Sequence, residues 1–457
     1  MEDRKYLSVI DEKKEELDAL SDYLWDNAET AFIEFKSAAY MKEALKKEGF
    51  TVEENLAGIE TAFLGRFGHG RPVVGVLGEF DALSGLAQEA GATEKKPLPG
   101  KTCGQGCGHN LLGMGSFAAA LGVKRFLEES GRDGTVIFFG CPAEEGGSGK
   151  GFMARDGVFD ELDLAVTWHP GSDCRIKTQI SLANIQVLYR FEGTPSHAGS
   201  APEKGRSALD ALELMNVGVQ FLREHMSDDC RIHYAITDTG GFSPNVVQGS
   251  AEAIYLIRAP KNDEARELYE RVNRVAAGAA MMTDTQTTHT FIKACSNTVD
   301  NFTMIKVADE MLKAIPAPVP SEEDLAFARE FAKTGSKVDM DKPFHYQYVP
   351  AHPVKTGRGS TDVGDVSWVC PTVQVNAATW CSGTSAHTWQ ATAQGKRPYT
   401  REMARYAGKV MAATAVAFIE DPALLEKAQE EHKENVGPKG YEAPIPKDVV
   451  PRPISSL

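Results

Sequence analysis

Three short apolar runs constrain this chain most: Pro72–Leu77 (PVVGVL), Thr135–Gly140 (TVIFFG) and Asp163–Trp168 (DLAVTW). Each is too short and too rich in β-branched and aromatic residues for a helix, and each reads as a strand buried on both faces. A Gly-rich loop and an apolar helix from about Asn110 to Glu129 separate the first two. Strands alternating with helices define an α/β protein, with a mixed, mostly parallel sheet flanked by helices. The N-terminal ~60 residues read as helical, with Leu17, Leu20 and Leu24 on one face and a second helix, about Ser37–Lys47, ending at Gly49.

The rhythm changes in the middle of the chain. Ala183–Glu192, Arg231–Thr237, Glu252–Arg258 and Thr285–Ala294 read as strands, and Ser207–Glu224 and Asp263–Met282 as helices. That β-α-β-β-α-β order is a compact, ferredoxin-like unit. It is inserted, so residues 1–182 and 298–457 belong to one domain and 183–297 to another. The last long helix is about Arg401–Ile419, and the Pro-rich tail from Pro438 reads as irregular.

Composition excludes several classes. The net charge of −15 is a poor match to nucleic acid or an anionic membrane surface. No apolar run approaches the roughly 20 residues that span a bilayer. Met1–Leu20 is charged throughout and lacks the pattern of an export signal. We therefore expect a cytoplasmic protein, in which the eight cysteines are buried thiols or ligands and not a disulfide framework.

The strand ends carry the chemistry. Pro72–Leu77 runs into Gly78-Glu79-Phe80-Asp81, Thr135–Gly140 into Cys141-Pro142-Ala143-Glu144-Glu145-Gly146-Gly147, and Asp163–Trp168 into His169-Pro170. Polar groups at the carboxyl ends of parallel strands share one crevice. Cys107-Gly108-His109 adds a thiolate and an imidazole just before a helix. With Glu145, His169 and the late His387, these residues offer Cys, His and carboxylate donors suited to zinc-like ions. Five donors exceed what one catalytic ion takes, but they suit two ions sharing one ligand. Glu144 is then left as an acid–base group beside the metal.

Simpler readings compete. Cys103-xxx-Cys107 lacks the second cysteine pair of a zinc ribbon, and Glu144-Glu145 alone is ordinarily a solvated pair. Gly147-Ser148-Gly149-Lys150-Gly151 has Glu144 and Gly151 where a phosphate loop needs Gly and Ser or Thr, and is rejected. Neither a His-Glu-x-x-His pair nor a Gly-x-Ser-x-Gly elbow is present. His69, His225, His233, His289, His345, His352 and His432 show no partner pattern.

The order Gly-Glu-Phe-Asp-Ala-Leu (78–83), Gly-Cys-Gly-His-Asn (106–110), Pro-Ala-Glu-Glu-Gly-Gly (142–147), Trp-His-Pro (168–170) and Ser-Ala-His-Thr-Trp (385–389) resembles the two-metal amidohydrolases related to aminoacylase and carboxypeptidase G, in the branch with a bridging Cys. The resemblance covers nearly the whole chain. It implies a zinc-exopeptidase-like fold and two divalent ions per subunit, zinc or manganese. Cys107 would bridge them, with His109 and His169 on one ion and Glu145 and His387 on the other. Glu144 would be the general base and Asp81 the outer carboxylate that orients a ligand.

By the same resemblance, residues 183–297 would be the lid and the homodimer interface. His197 would stabilise the oxyanion in a facing site, Asn245 and Arg258 would hold the substrate's carboxylate, and Gly359 would line the pocket. The substrate would be a small amide, an N-acyl or N-aroyl amino acid such as p-aminobenzoyl-glutamate. Dipeptides, auxin conjugates and aryl C–N bonds are the alternatives on the same centre. A heteromer with a sister subunit, in which this chain could even be non-catalytic, is the alternative assembly. The loop Lys333–Arg358 departs from the family pattern and leads into Gly359–Asp365, so it bears on substrate choice.

Overall fold

The computed structural model describes residues 4–334, 338–351 and 355–453. Its main sheet has eight strands. Four parallel strands form the centre, in the spatial order Gly134–Cys141, Val73–Glu79, Leu164–Gly171, Thr372–Ala378. Val73–Glu79 and Gly134–Cys141 are buried at every residue, as expected of strands covered on both faces. Phe63–His69 and Thr51–Glu54 extend one edge antiparallel, and Asp173–Ile176 and His345–Tyr348 extend the other.

Alternate strand residues feed two cores. Val74, Val76, Phe138 and Val166 face one, with helices His109–Ser130 and Pro398–Glu420; Leu77, Ile137, Phe139 and Ala165 face the other. The two long helices touch at Gly115 and Gly408, where an added Cβ would come within 2.7 Å of the opposing backbone.

The inserted unit is a separate antiparallel sheet in the order Arg231–Asp238, Ser250–Ala259, Ala183–Glu192, Gln286–Cys295. Helices Ala208–Leu222 and Asn262–Thr283 connect its strands. Burial along Ser250–Ala259 alternates strictly, the period-two signature of a sheet covered on one face.

Two readings need correction. The N-terminal segment is not helical throughout: Thr51–Glu54 is an edge strand, too short and polar to register as one. Lys333–Arg358 is not simply a loop, because His345–Tyr348 closes the main sheet and Lys355–Thr356 pairs with Gln179–Ile180. His352 lies outside the described residues. Among the described residues no helix is long and apolar enough to cross a membrane, and all eight cysteines are free.

Candidate metal centre

The carboxyl ends of the central strands deliver the expected groups to one place. Cys107, His109 and His169 bring one ligand atom each to within 4.8 Å of one another, and so do Cys107, Glu145 and His387. The two groups share only Cys107. Cys107 sits in a tight loop whose Gly108 has φ +76, and a Cβ on Gly108 would meet Pro170 at 3.1 Å. A helix opens at His109, which is completely buried. His169 comes from the strand Leu164–Gly171, and its Nε2 lies 3.5 Å from the Cys107 Sγ. His387 arrives from far along the chain, pinned by its backbone N–H to the Gly106 carbonyl at 2.8 Å; its Nε2 lies 3.2 Å from Glu145. Ala143 and His387 both hold positive φ, 61° and 60°, a conformation non-glycine residues adopt only when surrounding structure enforces it.

Outer groups fix the orientation of these donors. His109 Nδ1 donates to Asp81 at 3.0 Å, and His169 Nδ1 to the Pro170 carbonyl at 2.7 Å, which leaves each Nε2 as an acceptor facing the cluster. Asp81 also accepts the backbone N–H of Glu145 at 2.9 Å. His109 Nε2 and Glu145 Oε1 are buried without a hydrogen-bond partner, an arrangement that suits cation ligands. One thiolate, three imidazoles and a carboxylate form a donor set that fits divalent ions.

The electrostatics follow from crowding. Burial raises the Cys107 thiol's pKa, but the His169 and His109 imidazoles together outweigh it and bring the thiol down to about 6. Burial, then Glu79 and Glu145, push Glu144 well above the carboxylate range. Its carboxylate lies within 4.8 Å of the ligand atoms of both Glu79 and His109.

Four supporting residues are ones to which the sequence assigns no role, although Glu79 stands at one of the strand ends it marks. Lys150 is fully buried and places its ammonium 2.8 Å from Glu79 and 2.6 Å from Asp362; Glu79 in turn lies 3.3 Å from His109 Nε2. The Gly-Lys string that resembled a phosphate loop is thus a buried ion-pair anchor. Glu34, raised to about 8 by burial and by Asp81, accepts the Ala143 N–H at 2.9 Å and supports the strained turn before Glu144.

The residues expected on the inserted unit do not join this cluster. His197 and Asn245 are exposed and adjacent, linked by the Ala198 N–H to the Asn245 carbonyl at 2.9 Å. His197 Nδ1 accepts the N–H groups of Gly199 and Ser200, which leaves the ring proton on Nε2, facing outward. Arg258 is half-buried and donates to Ser360 Oγ at 2.8 Å, beside an exposed Gly359.

Fold and donors together define a hydrolase acting on amide bonds, built around a site for divalent metal. The chain belongs to the M20 family of peptidases and amidohydrolases. It is 42% identical, over 98% of both chains, to one of the subunits of p-aminobenzoyl-glutamate hydrolase from Escherichia coli strain K12. It is 29% identical to the Xaa-Arg dipeptidase of Mus musculus, over 94% of this chain and 92% of that one. Residues 183–281 match the peptidase dimerisation domain. In fold it is similar to the Bacillus subtilis YxeP protein, a dinuclear metal-binding peptidase from the M20 family. The TM-score is 0.57 at 17% identity, over 92% of this chain and 99% of that one.

Proposed function

We propose that the protein hydrolyses the amide bond of an N-acyl or N-aroyl amino acid, with p-aminobenzoyl-glutamate as the model substrate. The observation that carries this reading is the pair of donor groups sharing Cys107, with Glu144 beside them. Cys107, with His109 and His169 on one side and Glu145 and His387 on the other, would hold two divalent ions. A thiolate bridge favours zinc over manganese. When bound, such a pair polarises a carbonyl and lowers the pKa of water to about 7. Glu144 takes the proton of the attacking water and returns it to the leaving nitrogen as the C–N bond breaks. A carboxylic acid and an amine are released. Arg258, with Asn245, holds the substrate's α-carboxylate; a guanidinium matches a carboxylate bidentately.

Residues 1–182 and 298–457 form the catalytic domain, and 183–297 the lid and homodimer interface. Val217 and Phe221 on the helix Ala208–Leu222, and Tyr234 and Ile236 on the edge strand Arg231–Asp238, are exposed apolar residues that support an interface there. Across it, His197 of the partner subunit donates its Nε2 proton to the oxyanion. The eight free thiols support a cytoplasmic location.

The test is metal analysis of the purified protein, with amine release from p-aminobenzoyl-glutamate. Two ions per chain and turnover by the isolated protein are expected. Metal-loaded protein that is inert until a sister chain is added would overturn it in favour of a non-catalytic role within a heteromer.

A further inference from the structure

The second sheet presents a buried cation that lacks an anion. Lys293 is 6% exposed, and among the described residues its ammonium reaches only the Cys295 thiol, at 3.9 Å. No carboxylate among those residues forms an ion pair with it. Lys150 shows the usual solution in the same molecule, two carboxylates within 2.8 Å of one buried ammonium. An isolated buried charge is strongly unfavourable, so it calls for a counter-ion from outside the chain.

A backbone irregularity aims this lysine. In the ladder between Ala183–Glu192 and Gln286–Cys295, His289 faces Tyr189 and Phe291 faces Val187, on the side covered by helix Asn262–Thr283. The register then slips by one, and Lys293 pairs with Gln186. Without that bulge, residue 293 would continue the helix-covered row. With it, Lys293 turns to the opposite face, in line with Asn184 and Arg258, which are paired across the neighbouring ladder. Bulges that re-aim a side chain are common next to active sites.

That face meets the catalytic loop. The Cys295 thiol touched by Lys293 lies 3.0 Å from Ser148 Oγ, four residues beyond Glu144, and accepts Asn184 Nδ2 at 3.4 Å. Asn184 is 2% exposed and its Oδ1 has no partner. Arg258 reaches across to Ser360. One face thus sets two cations and an unsatisfied amide beside the segment that carries Glu144.

We propose that Lys293 is the specificity-determining residue for a second carboxylate on the substrate, so that the site takes dicarboxylic amino acids in amide linkage. Arg258 holds the α-carboxylate and Lys293 the side-chain carboxylate. This rests on the amidohydrolase reading above and goes beyond it in assigning the acidic side chain a receptor.

The experiment compares p-aminobenzoyl-glutamate with p-aminobenzoyl-glutamine, in zinc-loaded wild type, Lys293→Met and Lys293→Arg. A charge-assisted hydrogen bond corresponds to about ten- to a hundredfold in affinity. The glutamate-over-glutamine ratio of kcat/KM is therefore expected to fall by that factor in Lys293→Met, chiefly through KM, and to recover in Lys293→Arg. An unchanged ratio in Lys293→Met, or equal losses on both substrates, would overturn the proposal. Titration of wild type with free L-glutamate and L-glutamine provides a readout that needs neither turnover nor a folded variant. Tighter binding of glutamate supports the assignment and equal binding rejects it. If wild type cleaves neither amide, the hydrolase reading fails, and the same titration repeated with Lys293→Arg and Lys293→Met still decides the role of Lys293: a glutamate preference kept in Lys293→Met rejects it.

Discussion

Asp81 accepts the Nδ1 proton of His109 at 3.0 Å, and this bond decides which ring nitrogen is left to bind a cation. The other Asp81 oxygen holds the Glu145 backbone, so one carboxylate sets both halves of the centre. Outer partners of this kind typically contribute 10–100-fold to metal affinity. Asp81→Ala is expected to weaken metal binding by about that factor. Competition against a chelator measures it; affinity equal to wild type would remove Asp81 from this role.

Glu144 stands beside the candidate ligands without being placed in either shared-Cys group. Glu144→Gln should therefore retain its metal and lose turnover by about 10²–10⁴-fold, the usual range for a positioned acid–base group. Metal analysis alongside initial rates separates the two. A variant that turns over normally, or that has lost its metal, contradicts the assignment.

Lys150 compensates two buried carboxylates, Glu79 and Asp362. Removing one partner of a buried pair leaves an uncompensated charge, with a loss of about 3–5 kcal/mol. Lys150→Met is expected to lower unfolding stability by that order in denaturant titration. A change near zero would mean that water or proton uptake already satisfies the carboxylates.

The Cys107 thiol, near 6 in the folded chain, is depressed from an ordinary value of 9.0. A depressed acid stabilises the fold fully above its unfolded value, and that contribution is lost as pH falls through the folded value. In the metal-free protein, thiolate absorbance should therefore rise with a midpoint near pH 6, and stability from this group should fade between 9 and 6 on acidification. A midpoint well above that, close to the ordinary thiol value, would show that His169 does not stabilise the thiolate.

Phe221 is 71% exposed on a helix whose opposite face, with Leu212, Met215 and Val219, is buried. If residues 183–297 form the interface, Phe221→Glu is expected to shift the dimer towards monomer in light scattering. A dimer of unchanged strength would place the interface elsewhere.

Much of this protein was legible in one dimension. The strand Ala183–Glu192 has the bounds expected of it, and helix His109–Ser130 lies within a residue of its expected bounds. Both follow from local periodicity, which short-range sterics and burial impose directly. The five donors could be picked out because Cys, His and Glu at strand ends carry a chemical signature. Glu34, Lys150 and Asp362 could not, since each is an ordinary residue until packing removes its water; Glu79 stood at a marked strand end, but its pairing with Lys150 was hidden. The face of Lys293 was equally hidden: one unpaired residue in a ladder reverses every side chain beyond it, and no local pattern announces a bulge. Sequence therefore determined the elements and the chemical types at their ends. Tertiary structure decided which charges meet in the interior, because Coulomb and desolvation energies depend on distances between residues such as Lys150 and Asp362, more than two hundred positions apart in the chain.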